Sequence, residues 1–229
     1  MTPKAPARRK PLSVPVGRGS PAAERFPTVY RRLKREYPDA KCALNFSTPH
    51  EMLIATILSA QCTDAMVNKV TERLFAKYPR IEDFARADPS ELEQDIKSTG
   101  FFRQKTKNVQ ATARKILSDF GGEVPSTMEE LITLPGAARK TSNIVLGNAF
   151  GKVVGIAVDT HVRRLSQRLG FTEHEDPNKI EKDLMTLAPK NKWFPLSYLL
   201  IEHGRAVCKA PTPRCEDCVL SDLCPSSRV

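Results

Sequence analysis

Leu134–His161 decides the reading of this chain: LPGAARKTSNIVLGNAF, a glycine-punctuated link, then GIAVDTH. Pro135-Gly136 signals a turn, because proline presets φ at a turn's second position and glycine tolerates the positive φ that can follow. The apolar residues Ile144, Val145, Leu146, Ala149 and Phe150 then predict a buried helix from near Ala138 to Gly151. Backbone N–H groups at such a turn and helix start attract a phosphate. Lys140 falls in that helix's first turn, where the dipole and neighbouring Arg139 disfavour a second charge, and a partly neutral lysine is a nucleophile. Asp159 precedes a helical face of Val162, Leu165 and Leu169 that Gly170 stops. Two roles stay open at each position. Lys140 is a nucleophile or half of a solvated pair with Arg139, and Asp159 is a catalytic carboxylate or an N-cap.

Composition sets the wider bounds. The 229 residues suit one large domain or two small ones with a proper core, and the net charge of +10 favours a polyanionic partner. No apolar stretch approaches the roughly 18 residues of a spanning helix, and the charged N-terminus lacks the apolar centre of a secretory signal. A cytoplasmic protein, neither secreted nor membrane-bound, is expected. Residues 1–22 carry basic residues, no acidic ones and several prolines, and read as a disordered basic arm.

Helical spacing recurs along the rest of the chain. Phe26, Val29, Tyr30, Leu33 and Tyr37 share one face, a second helix starts near Pro49, and Ser59–Asp64 interrupts it before a third from Val67 to Tyr78. Asp88-Pro89-Ser90-Glu91 and Asp176-Pro177 carry helix-start signals, and Gly100 is a stop. Arg103–Phe120 reads as a helix with Val109, Ala113, Ile116 and Leu117 inside and Arg103, Lys105, Lys107, Arg114 and Lys115 outside. Ser126 with Glu129 suggests a capping box, and Leu196–His203 the last clear helix. With no period-two alternation, the fold class is all-α.

Four of the six cysteines, Cys208, Cys215, Cys218 and Cys224, crowd into the C-terminal loop with six, two and five residues between them. In a reducing compartment this points to ligation rather than disulfides. One short pair with two unequal arms suits an iron–sulfur cube better than zinc, which usually shows paired knuckles. Arg205, Lys209 and Arg214 are candidates to balance the thiolate charge, and Lys209 and Arg214 could also meet a phosphate backbone. Cys42 and Cys62 read as small buried hydrophobes, and His203 as structural.

LPGAARKT, VDTH, HGR and the Cys-x₆-Cys-x₂-Cys-x₅-Cys ending together resemble the endonuclease III family of bifunctional DNA glycosylases, over roughly residues 24–225. The resemblance implies two all-α lobes with DNA in the cleft between them: residues 43–154 as a six-helix domain with the helix–hairpin–helix, and 23–42 plus 155–225 as a [4Fe-4S] cluster domain. It implies a monomer acting on duplex DNA with a damaged base or abasic site, in a bacterial, nucleoid-associated setting. Lys140 matches the nucleophilic lysine, Asp159 the catalytic aspartate and the four cysteines the cluster ligands. Gln61 matches the residue filling the gap left by a flipped nucleotide, and Phe101 an apolar wedge, though Phe101 and Phe102 could equally be core. Asp64 and His161 match positions near the cleft. Gly136, Ala138 and Arg139 belong to the DNA-gripping hairpin. Ala138 stands where a second glycine is common, so a position of positive φ there would distort the hairpin at a cost of about 1 to 2 kcal/mol. Gly151 and Gly155 would absorb a link one residue longer than usual. The adenine-mismatch branch lacks the lysine, and the five residues after Cys224 leave no mismatch-reading domain to be expected. A non-catalytic iron–sulfur DNA-binding or redox module fits the charge and cysteines equally well, and only the Lys140–Asp159 pairing speaks against it.

Overall fold

A computed structural model of the protein describes residues 16–229, and their regular structure is eleven α-helices and three short 3-10 turns, with no strand. α1 (Ala22–Glu36) buries Phe26, Val29 and Leu33. α2 (Pro49–Leu58) is buried from Met52 to Leu58, as befits a helix apolar on all sides. α3 (Asp64–Lys77) begins three residues before Val67, because Thr63 accepts from Met66 N at 3.3 Å. α4 (Ile81–Arg86) has no counterpart in the sequence reading. Its six residues are too few to show periodicity, yet it buries Ile81 and Phe84 and is opened by Asp83 accepting from Arg80 N at 2.9 Å. α5 (Pro89–Ile96) starts where expected, with Asp88 Oδ1 accepting from Ser90 N and Glu91 N.

α6 (Phe102–Phe120) follows a 3-10 turn, and α7 (Met128–Leu131) starts one residue later than Ser126 suggested. Thr127 accepts from Glu130 N at 3.3 Å and donates to the Glu130 carboxylate at 2.6 Å, while Ser126 accepts from Lys152 Nζ at 2.7 Å. α8 (Arg139–Ala149), α9 (Thr160–Arg168), α10 (Pro177–Leu187) and α11 (Trp193–Ala206) complete the set.

Two apolar cores form. Leu53, Leu74, Phe84, Ile116 and Leu146 belong to one, which gathers α2 through α8. Phe26, Leu33, Val162, Leu199 and Leu223 belong to the other, which joins α1 to α9, α10, α11 and the C-terminal loop. The chain passes between them over residues 150–159, and Glu181 of α10, 3% exposed, secures the crossing. Its carboxylate accepts from Arg139 Nε at 2.5 Å and Nη2 at 3.2 Å, from Asn143 Nδ2 at 2.9 Å and from Ile156 N at 3.2 Å. Gly155 is required by this approach: a Cβ there would lie 2.0 Å from Glu181 Oε1. Its role is closeness rather than slack in the link.

Residues 1–15 of the expected arm lie outside the described residues. The rest of that arm is not disordered: Gly17–Ser20 form a turn, and Arg18 donates to Ser221 O at 3.0 Å and to the Val229 carbonyl. The strain expected at Ala138 is also absent. Ala138 has φ −63° and ψ 168° as the N-cap of α8, and Gly136 alone carries the positive φ, +79°.

Glu181→Leu strands Asn143 Nδ2 and Ile156 N without an acceptor and leaves half-exposed Arg139 to rehydrate. A loss of about 2 kcal/mol in urea unfolding is expected. Ala138→Gly is expected to shift stability by less than about 0.5 kcal/mol, because the better N-cap and the added chain entropy oppose each other. A gain above about 1 kcal/mol would restore the strained hairpin.

Candidate active site and nucleic-acid interface

The hairpin is built as the turn signal requires. Gly136 packs so close to α6 that a Cβ would stand 3.2 Å from Asn108 Cβ, and Thr112 Oγ1 donates to the Pro135 carbonyl. Ala138 offers no side-chain cap, so the first amides of α8 keep their donors free at an exposed helix start. Lys140 stands exposed in this first turn, and among the described residues no side chain pairs with it. Arg139 behaves differently from the reading of the sequence: its guanidinium turns to Glu181 and is neutralised there.

Lys140 and Asp159 line one cleft of about 510 Å³ together with Ser59, Gln61, Asp64, His161 and Arg205. They also border a smaller adjoining pocket of about 90 Å³ with Cys42, Ile144 and Tyr198. Lys140 begins the last helix of the first core and Asp159 begins the first helix after the crossing. The N-cap reading of Asp159 holds, since Oδ1 caps α9 by accepting from Val162 N at 2.8 Å. Its other oxygen has no hydrogen-bond partner among the described residues. Burial, helped by Arg164 and Arg205, holds the His161 imidazole below its usual value against the pull of Asp159, and Arg164 Nη2 lies 3.1 Å from His161 Nδ1. Asp64 of α3 and Arg205 of α11 close an ion pair at 2.6 Å between the two halves.

Gln61 and Phe101 are the two non-glycine residues with positive φ among the described residues, +53° and +48°. Each such backbone costs of order 1 kcal/mol and persists only where its surroundings hold it. Gln61 borders the cleft, and Phe101, 65% exposed, is an open apolar side chain rather than core. Phe102 is the half-buried one, packed against the first core. α6 holds a residue that charge patterning misplaced: Lys105 is 4% exposed and points inward.

Cys208, Cys215, Cys218 and Cys224 line one cavity with His203, Arg168 and Leu220. None of the four is in a disulfide. Of the cations expected around them, Arg214 lines this cavity with Arg168, whereas Arg205 and Lys209 do not. Arg205 serves Asp64, Arg214 donates to Ala206 O at 2.7 Å, and exposed Lys209 faces solvent. Arg168 Nη1 donates to Cys208 Sγ at 3.2 Å, and Arg164 holds the Cys208 carbonyl at 3.0 Å. A signal existed in their four-residue spacing, which sets both on the side of α9 away from Val162. His203 also belongs to this cavity: Nε2 lies 3.3 Å from Cys218 Sγ, Nδ1 2.9 Å from Tyr37 Oη, and burial lowers its pKa to about 4.

The profile of the HhH-GPD superfamily base excision DNA repair proteins matches residues 54–190. Endonuclease III of Synechocystis is 57% identical over 86% of this chain and 90% of its own length. Endonuclease III of Bacillus subtilis is 50% identical over 82% and 86%. A structure of a non-covalent endonuclease III–DNA complex superposes with TM-score 0.85 at 45% identity, covering 89% of this chain and 95% of that one. A trapped endonuclease III–DNA covalent intermediate superposes equally well, covering 89% and 96%. With the fold and the sequence matched across nearly its whole length, the chain belongs to the endonuclease III family of the HhH-GPD superfamily of base excision DNA repair proteins.

Proposed function

We propose that the protein removes oxidised pyrimidines such as thymine glycol from duplex DNA and cuts the strand at the resulting abasic sugar, with Lys140 as nucleophile and Asp159 as its carboxylate partner. The observation that carries this reading is the meeting of an unpaired lysine and a half-free carboxylate, each at a helix start, in one cleft. The target base must leave the stack, because its glycosidic carbon is out of reach inside a duplex. Gln61 fills the gap and Phe101 wedges beside it. The open amides of α8 take a phosphate, while exposed Lys209 and Arg214 meet the backbone.

Lys140 Nζ attacks C1′ as the C1′–N bond breaks, and the base leaves with the bonding pair. Asp159 stabilises the positive charge that develops on the sugar. Loss of an Nζ proton and opening of the sugar ring give a Schiff base between Lys140 and C1′. Removal of a C2′ proton then sends its electron pair into a C2′–C3′ double bond and expels the 3′ phosphate. Four thiols line the cysteine cavity, a donor set that suits an iron–sulfur cluster. Cys208, Cys215, Cys218 and Cys224 would hold a [4Fe-4S] cluster, with Arg168 offsetting its negative charge. Once bound, the cluster supplies a rigid cross-link for the loop bearing Lys209 and Arg214.

Borohydride trapping on a thymine glycol duplex is expected to give a covalent protein–DNA band that Lys140→Ala abolishes. No wild-type band on this or an abasic duplex, from folded brown protein, would leave a binding module. Asp159→Asn keeps the cap and hence the melting temperature, but is expected to slow trapping by about 10² to 10³-fold. Lys209→Ala is expected to weaken all duplexes alike and to reduce the salt slope of binding by about 0.9.

A further inference from the structure

We infer that Lys105 is a positioning residue whose buried ammonium ties together the loops bearing Gln61 and Phe101 and so holds both side chains ready for DNA. The inference rests on the proposed function for the purpose of those two side chains.

Lys105 Nζ donates to Leu58 O at 2.8 Å and to Thr99 O at 2.7 Å. Leu58 is the last residue of α2, three before Gln61, and Thr99 ends the 3-10 turn two before Phe101. Both carbonyls sit at helix ends, where acceptors lack intrahelical donors and carry the negative end of the dipole. One nitrogen thus closes two helix ends that lie far apart in sequence. Its own amide donates to Phe101 O at 3.0 Å, binding that loop to α6 a second time.

Lys105 has no carboxylate partner among the described residues, and burial disfavours its charge. An apolar side chain would fill this place without that penalty, so the ammonium is kept for what it holds. The two non-glycine residues of positive φ flank its two acceptors, and such backbones relax unless their surroundings fix them. Lys105 supplies that constraint from beneath, leaving the outer faces of both loops open.

The test combines Lys105→Met and Lys105→Gln with a Gln61→Ala/Phe101→Ala background, assayed on duplex thymine glycol and on a single-stranded abasic oligonucleotide that needs no gap filled. In the wild-type background Lys105→Met is expected to lower kcat/KM on the duplex by about 100-fold, with Lys105→Gln intermediate. Cleavage of the single strand, and duplex cleavage in the double-alanine background, should change by less than about threefold. Equal losses on both substrates, full additivity in the double-alanine background, no loss, or loss of helical circular dichroism in both variants would each overturn the inference. Absence of wild-type cleavage on either substrate would instead sink the proposed function, and this inference with it.

Discussion

One buried carboxylate governs how the two halves meet. A carboxylate withdrawn from water is costly unless its lone pairs are all engaged. Glu181 meets that demand only by drawing donors from two places beyond its own helix: the first two turns of α8 and the crossing segment. The start of α8 is therefore fixed against the segment that leads directly into Asp159. Arg139, neighbour of Lys140, is consumed in this join, and the lysine is left as the open cation of that turn. The catalytic geometry proposed for Lys140 and Asp159 depends on an ion pair that touches neither of them.

Much of the architecture was legible because its signals are local. Asp88 and Asp176 cap the helices they precede, and apolar periodicity places the inner faces of α1, α6 and α9. What escaped was short or degenerate. α4 is shorter than two helical turns, so no period exists to be seen. Before α7, Ser126 and Thr127 both have an acidic residue three positions on, and only packing chooses the second. The glycine usual at the Ala138 position points to a positive φ, whereas the backbone angle there depends on where Gly136 has already turned the chain.

The site divides in the same way. The grouping of the four cysteines is read from spacing, whereas at Lys140 and Asp159 spacing leaves two roles open and only the family resemblance singles out the pair. Cations are harder, because periodicity sends every lysine and arginine to solvent. Lys105 is buried because two carbonyls, at residues 58 and 99, converge on it from loops that sequence distance keeps apart. Arg168 and Arg205 were exchanged for the same reason. The partner of Arg205 is Asp64, across the cleft, while Arg168 reaches the cysteines through the packing of α9 on the C-terminal loop.

The placement of α1 bears on how the chain is made. Beyond the N-terminal segment itself, Phe26, Val29 and Leu33 share their core with residues 156–224, and Arg25 donates to Leu169 O and Leu223 O. During synthesis the helix-rich segment from Leu44 to Leu146 emerges complete and can close its own core, while α1 waits with an unmatched apolar stripe until the last cysteine has left the ribosome. α1, made before the whole of the first core, is among the last of the described helices to be placed, so a growing chain stalled before residues 208–224 would present that stripe to chaperones.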